Sequence, residues 1–375
     1  MHSWKTLALA TALAGCATMG GDGSVTRTDH YVRIQSTAPS MYGRDAKLYV
    51  REVTAAGSVA DAPDPARRVV LFVHGSGTPA EVSFDVPHGD YSWMAYLARA
   101  GFDTFSVDMT GYGRSTRPTE MGNGCFLSKE QQAGLQGTAI KAACDAAPPQ
   151  PLTTLYSDWD DIAAAVDYVR ALRKVEKVSL VGWSQGGPRV MGYVARHPDK
   201  VDRVVLLAPS YVRDGPLAAP LRLAANAAPM GLQSRKDFDA NWDRQVGCPG
   251  QYERAASDSV WAEMAASDPV GAQWGAGVRR APNVPTGGFN KSVVTSLQVP
   301  VLMVTGEHDK QVAPERVHHF YSDLGSRDKV IIDLACSSHN AMWEKNHAVL
   351  FKASADWLKK GQVDGKSQGE LRMGG

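Results

Sequence analysis

The chain of 375 residues has no excess of either charge. Its 40 basic and 39 acidic side chains leave a net charge of +1, with the signs interspersed. That balance provides neither the basic footprint of a nucleic-acid binder nor a polyacidic tail. C-x-x-C pairs, H-E-x-x-H and a P-loop are missing, and the ten histidines do not gather in metal-ligand spacing. His318 and His319 are neighbours that face different sides of a helix, as a solvated pair would. The sequence therefore calls for no metal, no cofactor and no nucleic-acid partner. Its first apolar run, Leu7 to Ala14, is too short to cross a bilayer. The length fits one large α/β domain with an insertion better than two independent domains.

The most informative stretch is Lys177-Val-Ser-Leu-Val-Gly-Trp-Ser-Gln-Gly-Gly187. Val178 to Val181 reads as a buried strand, and Arg189 to His197 continues as helix. Between them Gly182-Trp-Ser-Gln-Gly186 matches G-x-S-x-G. A serine on so sharp a strand-to-helix turn stands clear of its neighbours because the flanking glycines carry no side chains. The helix that follows points free N–H groups and its positive end toward any oxyanion formed there. Ser184 is thus the candidate nucleophile. A second match, Gly365-Lys-Ser-Gln-Gly369, has no strand before it and no helix after it, so Ser367 is read as bland.

Along the chain, Asp29 to Ser36 and Lys47 to Val53 read as an antiparallel pair. Arg68 to Val73 is a continuous apolar strand leading into His74-Gly-Ser-Gly77. A helix is expected over Tyr91 to Ala100 and a strand over Phe102 to Val107, followed by Asp108-Met-Thr-Gly-Tyr-Gly-Arg-Ser115. Thr116 to Leu155 is irregular, and a loop of that length within one domain is usually functional or pinned. Asp158 to Arg173 is a helix with acids in its first turn. After strand Val201 to Leu207 the alternation stops, and residues 208–296 carry helix-like pieces at Leu217 to Ala228, Arg235 to Arg244 and Ser257 to Ala266. Phe238, Trp242, Tyr252, Trp261 and Trp274 fall in the same stretch. The alternation resumes with Val299 to Thr305, Pro314 to Leu324, Lys329 to Leu334 and Ala341 to Lys359. Alternating strands and helices imply a mostly parallel sheet covered on both faces, and the interruption implies an inserted helical cap. The expected division is a core of 29–207 and 297–360, a cap of 208–296, and a flexible polar tail of 361–375.

At the N-terminus, Lys5 and the apolar run form a targeting segment over 1–16. Leu13-Ala-Gly-Cys16 resembles the lipobox of bacterial lipoproteins, which implies lipidation of Cys16, a tether over 17–28 and a membrane association by lipid anchor only. Ala17 at the next position suggests sorting to the outer membrane or cell surface. Without Cys16 four cysteines remain, an even number in an exported chain. Three pairings are possible. The preferred one joins Cys125 to Cys144 and Cys248 to Cys336, the first closing a loop of about twenty residues worth on the order of 3 kcal/mol.

Over roughly residues 45 to 360 the chain resembles the α/β-hydrolase superfamily. The landmarks occur in that family's order: the HG-x-G turn at His74, D-x-x-G-x-G-x-S from Asp108, the elbow at Ser184, an acid after the strand ending at Thr305, and a histidine in Ser337-Ser-His339. The resemblance implies Ser184 as nucleophile, His339 as base and Asp309 as the acid that orients it. Glu307 and Asp214 are rival acids. It also implies an oxyanion hole from the backbone N–H groups of Ser76 and Gln185. Trp183 packs beside the nucleophile and is a possible substrate contact, while His74, Asp108 and Arg114 are read as braces of their turns. Serine at the elbow excludes the members that need a carboxylate nucleophile. Acyl chemistry on a small-molecule ester, with a cap choosing a largely apolar or aromatic group, is the expected function. The alternatives are a proline-type aminopeptidase, which would need a cap carboxylate such as Glu253, Asp258 or Glu263, a carbon–carbon bond hydrolase, and a binding module on an inactive scaffold.

Overall fold

The computed structural model describes residues 24–55, 68–140, 142–144, 150–218, 220, 222–224 and 227–375. Residues 1–16 and Cys16 lie outside them, as does most of the expected tether. Its last residues do not: the first strand already begins at Val25.

Nine strands form one sheet. In chain order these are β1 (Val25–Gln35), β2 (Asp45–Ala55), β3 (Val69–Val73), β4 (Asp103–Val107), β5 (Val178–Trp183), β6 (Val201–Leu207), β9 (Val301–Gly306), β10 (Lys329–Leu334) and β11 (Gly369–Met373). Their spatial order is β1-β2-β4-β3-β5-β6-β9-β10-β11. β1 and β2 run antiparallel to their neighbours, and all later pairings are parallel. The numbers β7 (Met230–Ser234) and β8 (Val278–Pro282) belong to a separate antiparallel pair.

Helices α1 (Ala80–Phe84), α2 (Trp93–Arg99), α3 (Lys129–Ala133), α4 (Leu155–Arg173), α5 (Gly186–Arg196), α6 (Arg235–Asp243), α7 (Arg254–Ser267), α8 (Lys291–Val294), α9 (Pro314–Asp323) and α10 (His347–Lys360) complete the elements used below. α4 begins at a reciprocal cap. Thr154 Oγ1 accepts from the Ser157 N–H at 3.2 Å, and Ser157 Oγ accepts from the Thr154 N–H at 3.0 Å, an arrangement worth about 1 kcal/mol.

The continuous apolar runs read from sequence are buried on both faces because alternate side chains enter different layers. Val69, Leu71 and Val73 pack with α4, α5 and α9, whereas Val70 and Phe72 pack with α1, α2 and α10. This doubly covered, mostly parallel sheet is the α/β-hydrolase architecture expected.

Three expectations need correction. The tail is not loose: β11 pairs in parallel with β10, and the Ala335 N–H donates to Met373 O at 2.9 Å. Its Leu371 and Met373 pack on the core while charged neighbours face out, a strand alternation hidden in a polar stretch. Leu217 to Ala228 holds no helix among its described residues. Pro220 removes an N–H donor within it, Pro216 and Pro229 bound it, and the Ala228 carbonyl is taken by Asn283 Nδ2. The cap, finally, draws on two stretches. Met121, Leu127, Leu135, Ile140 and Leu152, assigned to the core from sequence, form an apolar cluster with Met230, Trp274 and Val278 of the β7–β8 pair.

Candidate active site

β5 ends at Trp183 and α5 starts at Gly186, so Ser184 and Gln185 make the whole turn. Ser184 sits at φ 56°, in the left-handed region, a conformation costing on the order of 1–2 kcal/mol for a side chain of this kind. The turn is locked by backbone bonds of 2.9 Å from Ser184 N–H to Leu207 O and from Gly187 and Ser210 N–H to Ser184 O. A Cβ on Gly186 would lie 2.4 Å from Val73 O, and one on Gly75 would lie 2.9 Å from Ser184 Cβ. Strand end, helix start and the HG turn therefore touch through main chain, as close approach at glycine permits.

His339 reaches the same place from the loop after β10, and Asp309 from the loop after β9. His339 Nδ1 and Asp309 Oδ2 are 2.8 Å apart. The other carboxylate oxygen accepts from the N–H groups of Gln311 and Val312 at 2.8 and 2.9 Å. The carboxylate thus holds Nδ1–H and leaves Nε2 free to accept a proton. Glu307 points away, receiving Arg372 Nη2 at 3.0 Å, and Asp214 is exposed. Of the three acids, Asp309 alone bonds the imidazole.

The histidine loop is braced twice. Trp183 Nε1 donates to His339 O at 2.9 Å, with its ring against His339 and Trp343. Glu344, fully buried, accepts from Ser338 N–H and Oγ at 2.6 Å each and from Trp242 Nε1 on α6 at 2.7 Å. Burial raises the Glu344 carboxyl above its ordinary range against those donors. Nothing in the sequence marked this residue, because its role is to join the histidine loop to Trp242, 102 residues away.

The backbone N–H groups of Ser76 and Gln185 donate to no protein acceptor among the described residues. The turn beneath Ser76 is pinned by Arg189, whose Nη1 donates to His74 O and Gly75 O at 2.9 Å and whose Nε pairs with Asp158 at 2.7 Å. His74 is buried, with Nε2 accepting from Met109 N–H at 3.1 Å. Burial, and then the nearby Arg189 charge, drive its pKa well down, so it stays neutral. Asp108 accepts from Ala80 and Arg114 N–H at 2.7 and 3.0 Å. These residues brace the turns, as their positions suggested.

Ser76, Trp183, Ser184 and His339 line one cavity of about 170 Å³. Above them the cap supplies Gln233, Phe238, Asn241 and Arg279. The roof is more polar than expected. Trp242 stacks on Tyr252 and Trp261 tilts on Phe238, so the aromatic residues of the cap mostly pack on one another, and Trp274 lies in the cap's own cluster. Arg279 and Gln233 were not foreseen, since a cap strand as short as β7 carries no periodic signal.

Both preferred disulfides are present, Cys125–Cys144 within the cap's first stretch and Cys248–Cys336 between the segment after α6 and the histidine loop. Among the described residues no group of three or more histidine, cysteine or acidic side chains is placed to hold a metal, and no helix is long and apolar enough to cross a membrane.

Comparison with known proteins bears on the fold. The human serine hydrolase BPHL is 28% identical over 153 residues, which are 40% of this chain and 45% of that protein, so the chain spans under half the length of that relative. An esterase from Rhodococcus sp. ECU1013 has a TM-score of 0.53 at 17% identity, covering 88% of this chain and 99% of its own. A serine hydrolase involved in carbazole degradation gives 0.51 at 17% identity (88% and 99%), and a bromoperoxidase from Bacillus anthracis 0.51 at 15% (89% and 100%). At such identities the structures share the fold. The family model described as alpha/beta hydrolase fold matches residues 68–346, most of the chain, and the protein belongs to the α/β-hydrolase family.

Proposed function

We propose that the protein cleaves carboxylic esters through an acyl-enzyme on Ser184. The observation that carries this reading is the convergence at one cavity of a left-handed serine turn and an imidazole held by a carboxylate at 2.8 Å. Ser184 Oγ attacks the ester carbonyl while His339 Nε2 takes its proton. The oxyanion lies against the Ser76 and Gln185 N–H groups. The C–O bond then breaks, the alcohol leaves with the proton from His339, and water repeats the sequence to release the acid.

Removing the hydroxyl tests this. Ser184→Ala should lower kcat on short p-nitrophenyl esters by roughly 10⁴-fold or more and abolish labelling by a fluorophosphonate probe. Ser76→Ala should stay within a few-fold, because the donor is backbone. Undiminished turnover or labelling in Ser184→Ala would remove Ser184 as nucleophile. The aminopeptidase reading needs a carboxylate facing the site. Glu253, Asp258 and Glu263 do not line the cavity, and Asp258 is paired with Arg235 at 2.8 Å, which favours the ester reading over proline p-nitroanilide cleavage.

We also read the chain as exported and anchored through Cys16. Two disulfides support the export. Intact-mass measurement of the mature N-terminus checks the anchor, which predicts a diacylglyceryl-modified Cys16 lost in Cys16→Ala.

A further inference from the structure

Neighbouring residues on a strand point to opposite sides, and β8 places two arginines in unlike surroundings. Arg280 turns inward. Its Nε and Nη2 meet Asp268 at 3.0 and 2.5 Å, and Arg117 lies 3.9 Å from the same carboxylate. Arg279 turns to the cavity, where it faces Ser76, Ser184 and His339. Its Nε donates to Gln233 Oε1 at 3.1 Å, across the register pair of β7 and β8. Nη1 and Nη2 have no protein acceptor among the described residues, and no acid residue lines the cavity. The guanidinium also lies flat on the HG turn: a Cβ on Gly77 would sit 2.1 to 2.3 Å from Nη1, Cζ and Nη2.

Arg279 is half-buried and meets no anion in the cavity, so its guanidinium keeps only part of its hydration and gains no ion pair for the rest. Burial accordingly draws its pKa down to about 10, with Tyr112 and Asp268 only partly offsetting, so it remains charged at neutral pH. Its two free N–H edges form the fork that matches a carboxylate. A substrate anion there would lie near the oxyanion formed over Ser76, and the guanidinium would offset their repulsion. The cavity, about 170 Å³, is smaller than the roughly 300–1,000 Å³ usual for ligand sites, which restricts the chain between the two groups.

We propose that Arg279 receives a carboxylate carried by the ester, so that the preferred substrates are short hemiesters of dicarboxylic acids. This rests on the reading of Ser184 as nucleophile. The reaction turns the hemiester anion and water into the dicarboxylate, an alcohol and one proton, which passes to solvent, with no other reactant.

The test compares monomethyl glutarate with dimethyl glutarate by pH-stat titration. The wild type should favour the hemiester in kcat/KM, and Arg279→Met should lower the hemiester-to-diester ratio by roughly 10- to 100-fold, with Arg279→Lys in between. A wild type that favours the diester overturns the proposal. So does an unchanged ratio in a folded Arg279→Met, which would mean that the guanidinium serves all esters alike. Calorimetry guards against a folding defect and against failure of the serine assignment. Ser184→Ala should bind monomethyl glutarate and not dimethyl glutarate, and Ser184→Ala with Arg279→Lys should bind it more weakly. No binding of the hemiester by Ser184→Ala also overturns the proposal. If it binds yet Ser184 is never labelled by the fluorophosphonate, the nucleophile reading fails and the anion subsite stands.

Discussion

The floor and the roof of the cavity are held by different means. The floor, made by the HG turn and the Ser184 elbow with Asp309 and His339 beside them, packs mostly main chain against main chain at Gly75, Gly182 and Gly186, over the buried side chain of Arg189 that pins the HG turn. The roof, made by α6 and the β7–β8 pair, is fixed by side chains: Arg280 with Asp268, Trp242 with Glu344, Gln131 Nε2 with Leu232 O at 3.1 Å. A floor of this kind serves any ester equally, whereas a roof of exchangeable side chains can change the substrate while leaving the chemistry alone. The two should fail in different ways.

The largest effect should come from the floor. In Asp309→Asn the amide oxygen stays on the Gln311 and Val312 N–H groups, so an NH2 faces His339 Nδ1 and imposes the wrong tautomer; kcat should fall by about 10⁴-fold on every ester, while Glu307→Gln changes it by no more than a few-fold. Equal losses would mean that the wrong carboxylate has been assigned. Next comes Gly186→Ala. With Val73 O 2.4 Å from the new Cβ, backbone must move, at a cost of roughly 1–3 kcal/mol seen as a lowered Tm together with lost activity. An unchanged Tm would show that the contact is not tight. The smallest effect belongs to the join of roof and floor. The Cys248–Cys336 bond spans 88 residues and should limit how far the His339 loop wanders. Mild reduction should cost a few-fold in kcat before the far-ultraviolet circular dichroism of the sheet changes. Simultaneous loss of both would mean that the bond holds the fold rather than the base.

The same contrast explains what could be read from sequence. Val69–Val73 was legible as an unbroken apolar run, the mark of a strand buried on both faces, and Val201–Leu207 and Lys329–Leu334 through their apolar stretches Val204–Leu207 and Val330–Ile332. The elbow was legible because backbone crowding demands glycine at fixed spacing around the serine. The even cysteine count called for two disulfides and left three pairings open, of which the preferred one is present. By contrast, β7 (Met230–Ser234) has one buried residue in five and offers no pattern. Leu217 to Ala228 has helix-forming composition but a proline within it and one on either side. Glu344 joins the nearby Ser338 to Trp242, 102 residues away, and Arg279 meets Gln233, 46 residues away, and such convergence leaves no local mark. The polar character of the roof was missed for the same reason: the aromatic residues were visible, but not that they would stack among themselves.

The strand at the C-terminal end has a practical side. β11 covers the open edge of β10, and Asn346 Nδ2 clips the two together through Ala335 O and Gly374 O at 2.7 and 2.9 Å. Trimming residues 361–375 as a dispensable polar extension would uncover a row of unpaired amides two residues from Cys336. An unprotected border of that sort invites another chain to dock on it, so a shortened version is expected to clump on concentration, and an affinity handle is better placed on a surface loop than fused to Gly375.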